Sequence, residues 1–122
     1  TLHTNDAASA VTRLTDMGIE PFLLSSSLLG VLAQRLVRKL CTACSGKGCE
    51  TCGHTGYQGR TGVFELLVVD DDIRARIHGQ AAEADVRAAA LARGMRLMRD
   101  DGERLIAAGI TSREEVLRVT RD

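Results

Sequence analysis

All four cysteines of this 122-residue chain lie within one short stretch. They form two Cys-x-x-Cys pairs separated by a four-residue spacer: Cys41 and Cys44, then Cys49 and Cys52. Each pair can present two thiolates from one tight turn, and two such turns supply the four sulfurs of a tetrahedral zinc site. Four sulfurs leave no ligand position for a catalytic water, so the spacing predicts a structural zinc ion. A redox pair, an iron–sulfur cluster and unmetallated thiols are the alternatives.

The position of the cysteines also bears on the compartment. Secreted disulfide scaffolds spread their cysteines along the chain, whereas here long cysteine-free flanks surround one cluster, which favours a reducing cytosol. The sequence does not open with a recognisable signal peptide, and its longest apolar stretch, residues 22–33, is too short to span a bilayer. We therefore expect a soluble cytoplasmic protein.

Charge and aromatic content argue against nucleic acid as a partner. Lys and Arg total 16, as do Asp and Glu, so no bulk field attracts a phosphate backbone. One Tyr, two Phe and no Trp provide little surface for base stacking. The hydrophobic content of 44% supports a core, and the abundance of Ala, Leu, Arg and Glu predicts a mainly α fold with a small β component.

Two helices are predicted before the cysteines. The first covers Ala7–Met17, with Asn5 or Asp6 as its N-cap and Gly18 as its stop, and residues 19–22 connect it to the next element. The second is capped by the serines at 25–27 and runs to about Leu40. It could be a membrane-surface helix or a core-facing helix with cations at its C-terminal end, and the core-facing interpretation is favoured.

The segment after the cysteines is predicted to begin with a glycine-rich turn and to end in helices. The predicted elements are a turn at 56–62, a strand at Val63–Val69, a helix at Ile73–His78 capped by Asp70–Asp72, a helical region at Ala82–Ala108 broken near Gly94 and Gly102, and a last helix to Val119 opened by a capping box at Thr111–Glu114.

Catalytic motifs are missing from the sequence. It contains no GxxxxGK[ST] phosphate loop, GxSxG elbow or HExxH, so a self-contained enzyme is not predicted. His54 and His78 need no functional explanation. His3 stands in a His-Thr-Asn-Asp run at a predicted strand-to-helix junction, where backbone amides at a helix start favour an anion such as phosphate.

Several segments, in order, resemble the type II secretion and type IV pilus assembly ATPases. Residues 1–7 resemble the end of that family's histidine box, and Gly-Tyr-Gln-Gly-Arg-Thr-Gly at 56–62 resembles the segment that follows its tetracysteine subdomain. Further matching stretches are 10–14, 16–18, 32–41, 63–67, 109–112 and 115–119. The branch that the chain resembles most is general secretory pathway protein E.

This resemblance implies a division of the chain. Residues 1–40 would be the end of a RecA-like α/β ATPase domain, residues 41–62 a tetracysteine zinc-binding subdomain, and residues 63–122 a strand with a helical C-terminal subdomain. The chain would then be the C-terminal piece of a longer ATPase. The family often has a long insert between its two Cys-x-x-Cys pairs, where this chain has only residues 45–48.

The resemblance also implies a function for the parent protein. The parent would be a cytoplasmic homo-hexameric ATP hydrolase, peripheral at the inner membrane through other secretion components, that powers pseudopilus assembly and protein export. ATP and Mg²⁺ would bind only in the parent, because Walker A and Walker B lie upstream, and His3 would face the nucleotide phosphates. The 122-residue chain alone should be inactive, and Zn²⁺ would keep the cysteine subdomain rigid.

Three other interpretations remain at this stage. One is a type IV pilus assembly ATPase. Another is a chaperone-type interaction module, because residues 41–48 also resemble the CxxCxGxG repeat of J-domain chaperones, although that family needs several repeats. The third, a zinc-based nucleic-acid module, would need a basic face that the balanced charge does not favour.

Overall fold

The computed structural model describes Leu2 and residues 4–120, so His3 lies outside the described residues. The described part of the chain contains two strands and six α-helices. In chain order they are α1 (Ala7–Asp16), α2 (Pro21–Ser27), β1 (Gly30–Leu40), β2 (Tyr57–Val68), α3 (Asp71–His78), α4 (Glu83–Ala92), α5 (Met98–Ala107) and α6 (Arg113–Thr120). A mainly α fold with a small β component is thus confirmed.

The chain divides into two compact units. One unit comprises Thr1–Ala33 with Glu65–Leu97, and the other Gln34–Phe64 with Met98–Asp122. The core of the first unit is built on the inward faces of α1, α3 and α4 and the end of β2. Its buried residues are Ala7, Ala8, Val11, Leu24, Leu67, Val69, Ile73, Ile77, Val86, Ala89 and Ala90. The three-part division with boundaries after residues 40 and 62 stays a prediction.

Helix α1 begins where the sequence predicted. Asp6 is its N-cap, and a carboxylate oxygen of Asp6 accepts the Ser9 N–H at 2.8 Å. Ser9 Oγ in turn accepts the Asp6 N–H at 3.1 Å, which completes a capping box. The helix ends at Asp16, and Gly18 follows with φ +96°, the left-handed conformation that glycine adopts without strain.

The predicted helix from residues 25–27 to Leu40 is wrong. Ser25–Ser27 close a short helix that starts at Pro21, and residues 30–40 form strand β1. Pro suits the first helical position, because its missing N–H would have no intrahelical partner there. Strand pairing with β2 overrides the helix propensity of the Leu, Ala and Arg residues in this segment, since propensity is a weak prior.

Strand β2 is longer than predicted. It begins at Tyr57, so most of the predicted glycine-rich turn at 56–62 belongs to the strand, while the strand prediction for 63–69 is confirmed to Val68. The strands are antiparallel, since backbone hydrogen bonds join Val69 N–H to Leu29 C=O at one end and Cys41 N–H to Gly56 C=O at the other.

The C-terminal helices follow the sequence pattern with two corrections. The Asp70 cap of α3 is confirmed by its bond from Ile73 N–H, and the break near Gly94 is confirmed between α4 and α5. Gly102 does not break a helix: it is buried inside α5 against Val116. The cap of α6 lies one residue later than predicted, because Ser112 Oγ accepts the Glu115 N–H at 3.2 Å.

Candidate metal centre

The four cysteines lie in the connection between β1 and β2, residues 41–56, which we call the cysteine loop. Cys41 is buried and follows the last residue of β1 directly. Its N–H donates to the Gly56 carbonyl at 2.9 Å, and this bond closes the base of the loop. The cluster is therefore the turn of a β-hairpin.

The sulfur atoms are arranged as the corners of a metal site. All four Sγ atoms lie within 4.8 Å of one another. The Sγ–Sγ distance is 3.8 Å for Cys41–Cys49 and 3.9 Å for both Cys44–Cys52 and Cys49–Cys52. A tetrahedron with Zn–S bonds of about 2.3 Å has edges of about 3.8 Å, whereas a disulfide requires about 2.05 Å. These separations fit four ligands of one tetrahedral ion.

Backbone amides surround two of the sulfurs. Cys44 Sγ accepts the Gly48 N–H at 3.1 Å, and Cys52 Sγ accepts N–H groups from Cys49 and Gly56 at 3.3 and 3.2 Å. Such donors stabilise thiolate charge and hold the ligands in place before an ion arrives. The surrounding backbone thus suits negatively charged sulfur.

The glycines of the loop are required by its backbone. Gly46, Gly48 and Gly53 all have φ between +65° and +105°, the left-handed region that glycine adopts without strain. Gly56 also has a positive φ, and a Cβ at this position would lie 2.5 Å from the Gly46 carbonyl oxygen. The backbone at Gly46 therefore approaches the end of the loop too closely for any side chain at residue 56.

The thiols differ in acidity. Burial raises the pKa of Cys41 to about 11. The backbone N–H of Cys52 lowers the pKa of Cys49. Burial also raises the pKa of Cys52, but hydrogen bonds from the Cys49 and Gly56 amides outweigh it and bring the value to about 6. Cys49 and Cys52 are therefore the more readily ionised ligands, and a bound cation would favour the thiolate form at all four.

Neither His54 nor His78 joins the cluster. His54 is exposed in the cysteine loop, and His78 is exposed at the end of α3, where its ring meets Phe22 edge-on at 5.9 Å. The prediction for His3 lies outside the described residues.

A charged cluster beside the loop was not predicted. The carboxylate of Glu115 on α6 is 1% exposed and accepts five hydrogen bonds, two from the Arg118 side chain, two from the Arg38 side chain and one from the Arg38 N–H. We call these three residues the Glu115 clamp. Arg38 lies on β1 three residues before Cys41, and the Thr111 hydroxyl donates to the Arg38 carbonyl at 2.7 Å. The clamp thus ties the strand that enters the cysteine loop to the C-terminal helix.

Tyr57, the first residue of β2, adds a second tie. Its hydroxyl lies 2.6 Å from Ser112 Oγ, and the Arg38 guanidinium stacks over its ring at 4.2 Å from the centroid. Both strands that flank the cysteine loop are therefore bound to the start of α6. The sequence showed only that Tyr57 and Glu115 belong to matching segments, not that they meet.

Glu65 is the second unpredicted charged residue. It is 2% exposed, and its Oε2 accepts the N–H of Ala7, the first residue of α1, at 2.8 Å. The burial of Glu65 could have been predicted from the sequence, because Val63, Glu65 and Leu67 occupy the same face of one strand. A strand that buries the two apolar side chains buries the carboxylate between them too.

The family model described as Type II/IV secretion system protein matches residues 1–118. The chain belongs to this family. The match runs through both units and the cysteine loop in order, and it favours the secretion interpretation over the chaperone and nucleic-acid interpretations.

Relatives come from both branches of the family. Type II secretion system protein HxcR of Pseudomonas aeruginosa is 64% identical over 130 residues, covering 100% of this chain and 28% of its own length. Type II secretion system ATPase E of Vibrio cholerae is 48% identical over 151 residues, covering 100% and 29%. Type IV pilus assembly ATPase PilB of Thermus thermophilus is 44% identical over 144 residues, covering 96% and 16%. The chain thus spans less than a third of the length of these relatives.

A solved structure supports the fold. The pilus retraction motor PilT with bound ADP matches with a TM-score of 0.72 at 23% identity, covering 100% of this chain and 32% of that one. The described residues therefore have the fold of part of that motor protein. None of the helices in the described ranges is long and apolar enough to cross a membrane.

Proposed function

We propose that the chain is the C-terminal, zinc-binding part of a type II secretion ATPase. The observation that carries this proposal is the 64% identity to HxcR over the whole chain. In the parent, ATP hydrolysis would power pseudopilus assembly and protein export. The parent would be a cytoplasmic homo-hexamer held at the inner membrane by other secretion components. A type IV pilus assembly ATPase is the second candidate, supported by the 44% identity to the Thermus PilB protein.

In this proposal, ATP hydrolysis depends on parts of the parent outside this chain, and this chain contributes a rigid structural element. ATP and Mg²⁺ would bind where the parent supplies Walker A and Walker B, and the chain alone would hydrolyse no ATP, because it has no phosphate loop. His3 would face the nucleotide phosphates. Residues 1–40, 41–62 and 63–122 would be the end of the RecA-like domain, the zinc subdomain and the helical C-terminal subdomain.

We further propose that Cys41, Cys44, Cys49 and Cys52 bind one Zn²⁺. The tetrahedral Sγ–Sγ separations and the N–H···S bonds support this ligand set. An ion bound by four thiolates would be structural and would hold the cysteine loop in one conformation. The parent needs such a rigid element if subunit motion is to reach its secretion partners.

The zinc proposal is tested in the full-length parent by substituting one cysteine from each pair. Cys41→Ser combined with Cys52→Ser should remove the zinc, about one ion per chain in the wild type, and abolish secretion, because two ligands cannot hold a tetrahedral site. Metal analysis and a secretion assay measure the two effects. Thr51→Ser, an exposed position in the same loop, is the matched control. Wild-type protein without stoichiometric zinc, or a double variant that still secretes normally, would refute the proposal.

A further inference from the structure

Glu65 is a buried acid that the proposed metal centre does not use. Its residue is 2% exposed, and it lies on β2 between the buried Val63 and Leu67. Burying a carboxylate is costly unless charge and hydrogen bonds offset the lost hydration. An apolar residue at this inward position would cost less, so the acid calls for a specific explanation.

The partner of Glu65 gives that explanation. Its Oε2 accepts the Ala7 N–H at 2.8 Å, and Ala7 is the first residue of α1 and fully buried. The first amides of a helix have no intrahelical acceptor, and the positive end of the helix dipole stabilises an anion. Asp6 already caps the Ser9 N–H. Glu65 therefore fixes the helix start from a second, distant part of the chain.

A third element holds the same helix start. The Arg87 guanidinium on α4 contacts one carboxylate oxygen of Asp6 at 2.7 and 3.1 Å. Burial of Asp6 raises its pKa, but the hydrogen bonds from Ser9 and the charge of Arg87 outweigh it and lower the value. The first turn of α1 is thus fixed by β2 through Glu65 and by α4 through Arg87.

We propose that Glu65 is a positioning residue for ATP hydrolysis in the parent. It fixes the place and direction from which the residues before α1 leave the helix, and these residues form the segment that resembles the histidine box. The inference rests on the proposed function, which assigns that segment to the nucleotide phosphates. Catalysis depends steeply on such placement, because a displacement of about 1 Å can reduce a rate about 100-fold.

The test compares kcat and KM for ATP hydrolysis by the full-length parent and its variants. Glu65→Gln keeps an acceptor oxygen for Ala7 but removes the charge that the helix start attracts. We expect kcat to fall about tenfold or more, KM to change less than about threefold, and Tm to stay within about 3 °C of the wild type. Glu114→Gln, at an exposed position on α6, is the control and should keep wild-type kcat.

Three results would decide against the inference. An active parent whose Glu65→Gln variant keeps wild-type kcat overturns it, as does a Glu65→Gln variant that loses Tm and kcat together while Glu65→Asp, which retains the charge, restores both in parallel. A wild-type parent that hydrolyses no ATP overturns the proposed function and this inference with it. Loss of kcat in Glu65→Gln at an unchanged Tm, with partial recovery in Glu65→Asp, supports it.

Discussion

At the scale of single residues, Glu115 is a buried carboxylate that accepts hydrogen bonds from two arginines, Arg38 and Arg118. Hydrogen bonds from Arg118 lower the pKa of this carboxyl, burial opposes them, and hydrogen bonds from Arg38 reinforce them. Because the folded pKa lies below the unfolded value of about 4.3, the clamp stabilises the protein above that pH. Its contribution is lost as the pH falls and the carboxylate is protonated.

Glu115→Gln should therefore destabilise the chain at pH 7 by about 1–3 kcal/mol, a range that allows for solvent screening of the half-exposed arginines. The difference in free energy of unfolding between wild type and variant should shrink as the pH falls below about 5 and should go on shrinking until the pH passes below the folded pKa of Glu115. Urea unfolding of wild type and variant, prepared identically with respect to metal at each pH, measures it across this range. Glu114→Gln should show little difference at any pH. A wild-type–variant difference independent of pH would contradict the assigned charge.

At the scale of secondary-structure elements, the packing of α5 on α6 depends on one glycine. Gly102 is buried in α5, and a Cβ there would overlap Val116 Cγ1 and lie 2.9 Å from its Cγ2. Glycine normally weakens a helix by roughly 0.5–1 kcal/mol relative to alanine, and the sequence pattern therefore predicted a break at this position. The glycine at position 102 instead allows α5 and α6 to approach each other closely.

Gly102→Ala should destabilise the chain by about 1–2 kcal/mol, because overpacking against Val116 outweighs the gain in helix propensity. Val116→Ala makes room for the added methyl group, so Gly102→Ala in that background should be neutral or stabilising. Chemical denaturation of the four proteins in this double-mutant cycle measures the coupling. Additive effects would show that the two residues do not compete for the same space.

Elements and site residues differ in how well the sequence predicts them. Asp6 and Asp70 were predictable because a cap acts locally, and the four cysteines because their spacing alone specifies two ligand pairs. Strand β1 was not predictable from the sequence. Leu32, Leu36 and Leu40 repeat every four residues, a pattern that matches a helix as well as one face of a strand. Glu65 and Glu115 acquire their roles from partners 58 and 77 residues away, which no local pattern reveals.

At the scale of the whole molecule, the exposed face of the hairpin has an unusual composition for a protein surface. In the first unit Leu32, Leu66 and Val68 are 63%, 54% and 61% exposed. The register set by Leu29 and Val69 places Leu32 opposite Leu66. Single exposed leucines are common, but several on adjacent strands form an apolar surface that promotes association.

The isolated chain should therefore self-associate and bind a hydrophobic dye. Leu32→Thr combined with Leu66→Thr introduces β-branched residues, which suit a strand, and removes most of the apolar area. Dye fluorescence and the associated fraction should therefore both decrease. Sedimentation and dye titration of the two proteins measure this. Leu117→Thr, on the exposed side of α6, is the control. A wild-type chain that stays monomeric and binds no dye would contradict the expectation.

With the proposed zinc bound, the position of the cysteine loop as the turn of the β1–β2 hairpin would link the fold to the metal supply of the cell. A hairpin closed by a bound ion becomes more stable with each rise in free metal, by about 1.4 kcal/mol per tenfold increase once the site is nearly saturated. Scarcity of zinc would then act on this protein through its population of folded chains. Starvation for one trace element would limit how many folded copies of the chain a cell contains, however much of it is synthesised.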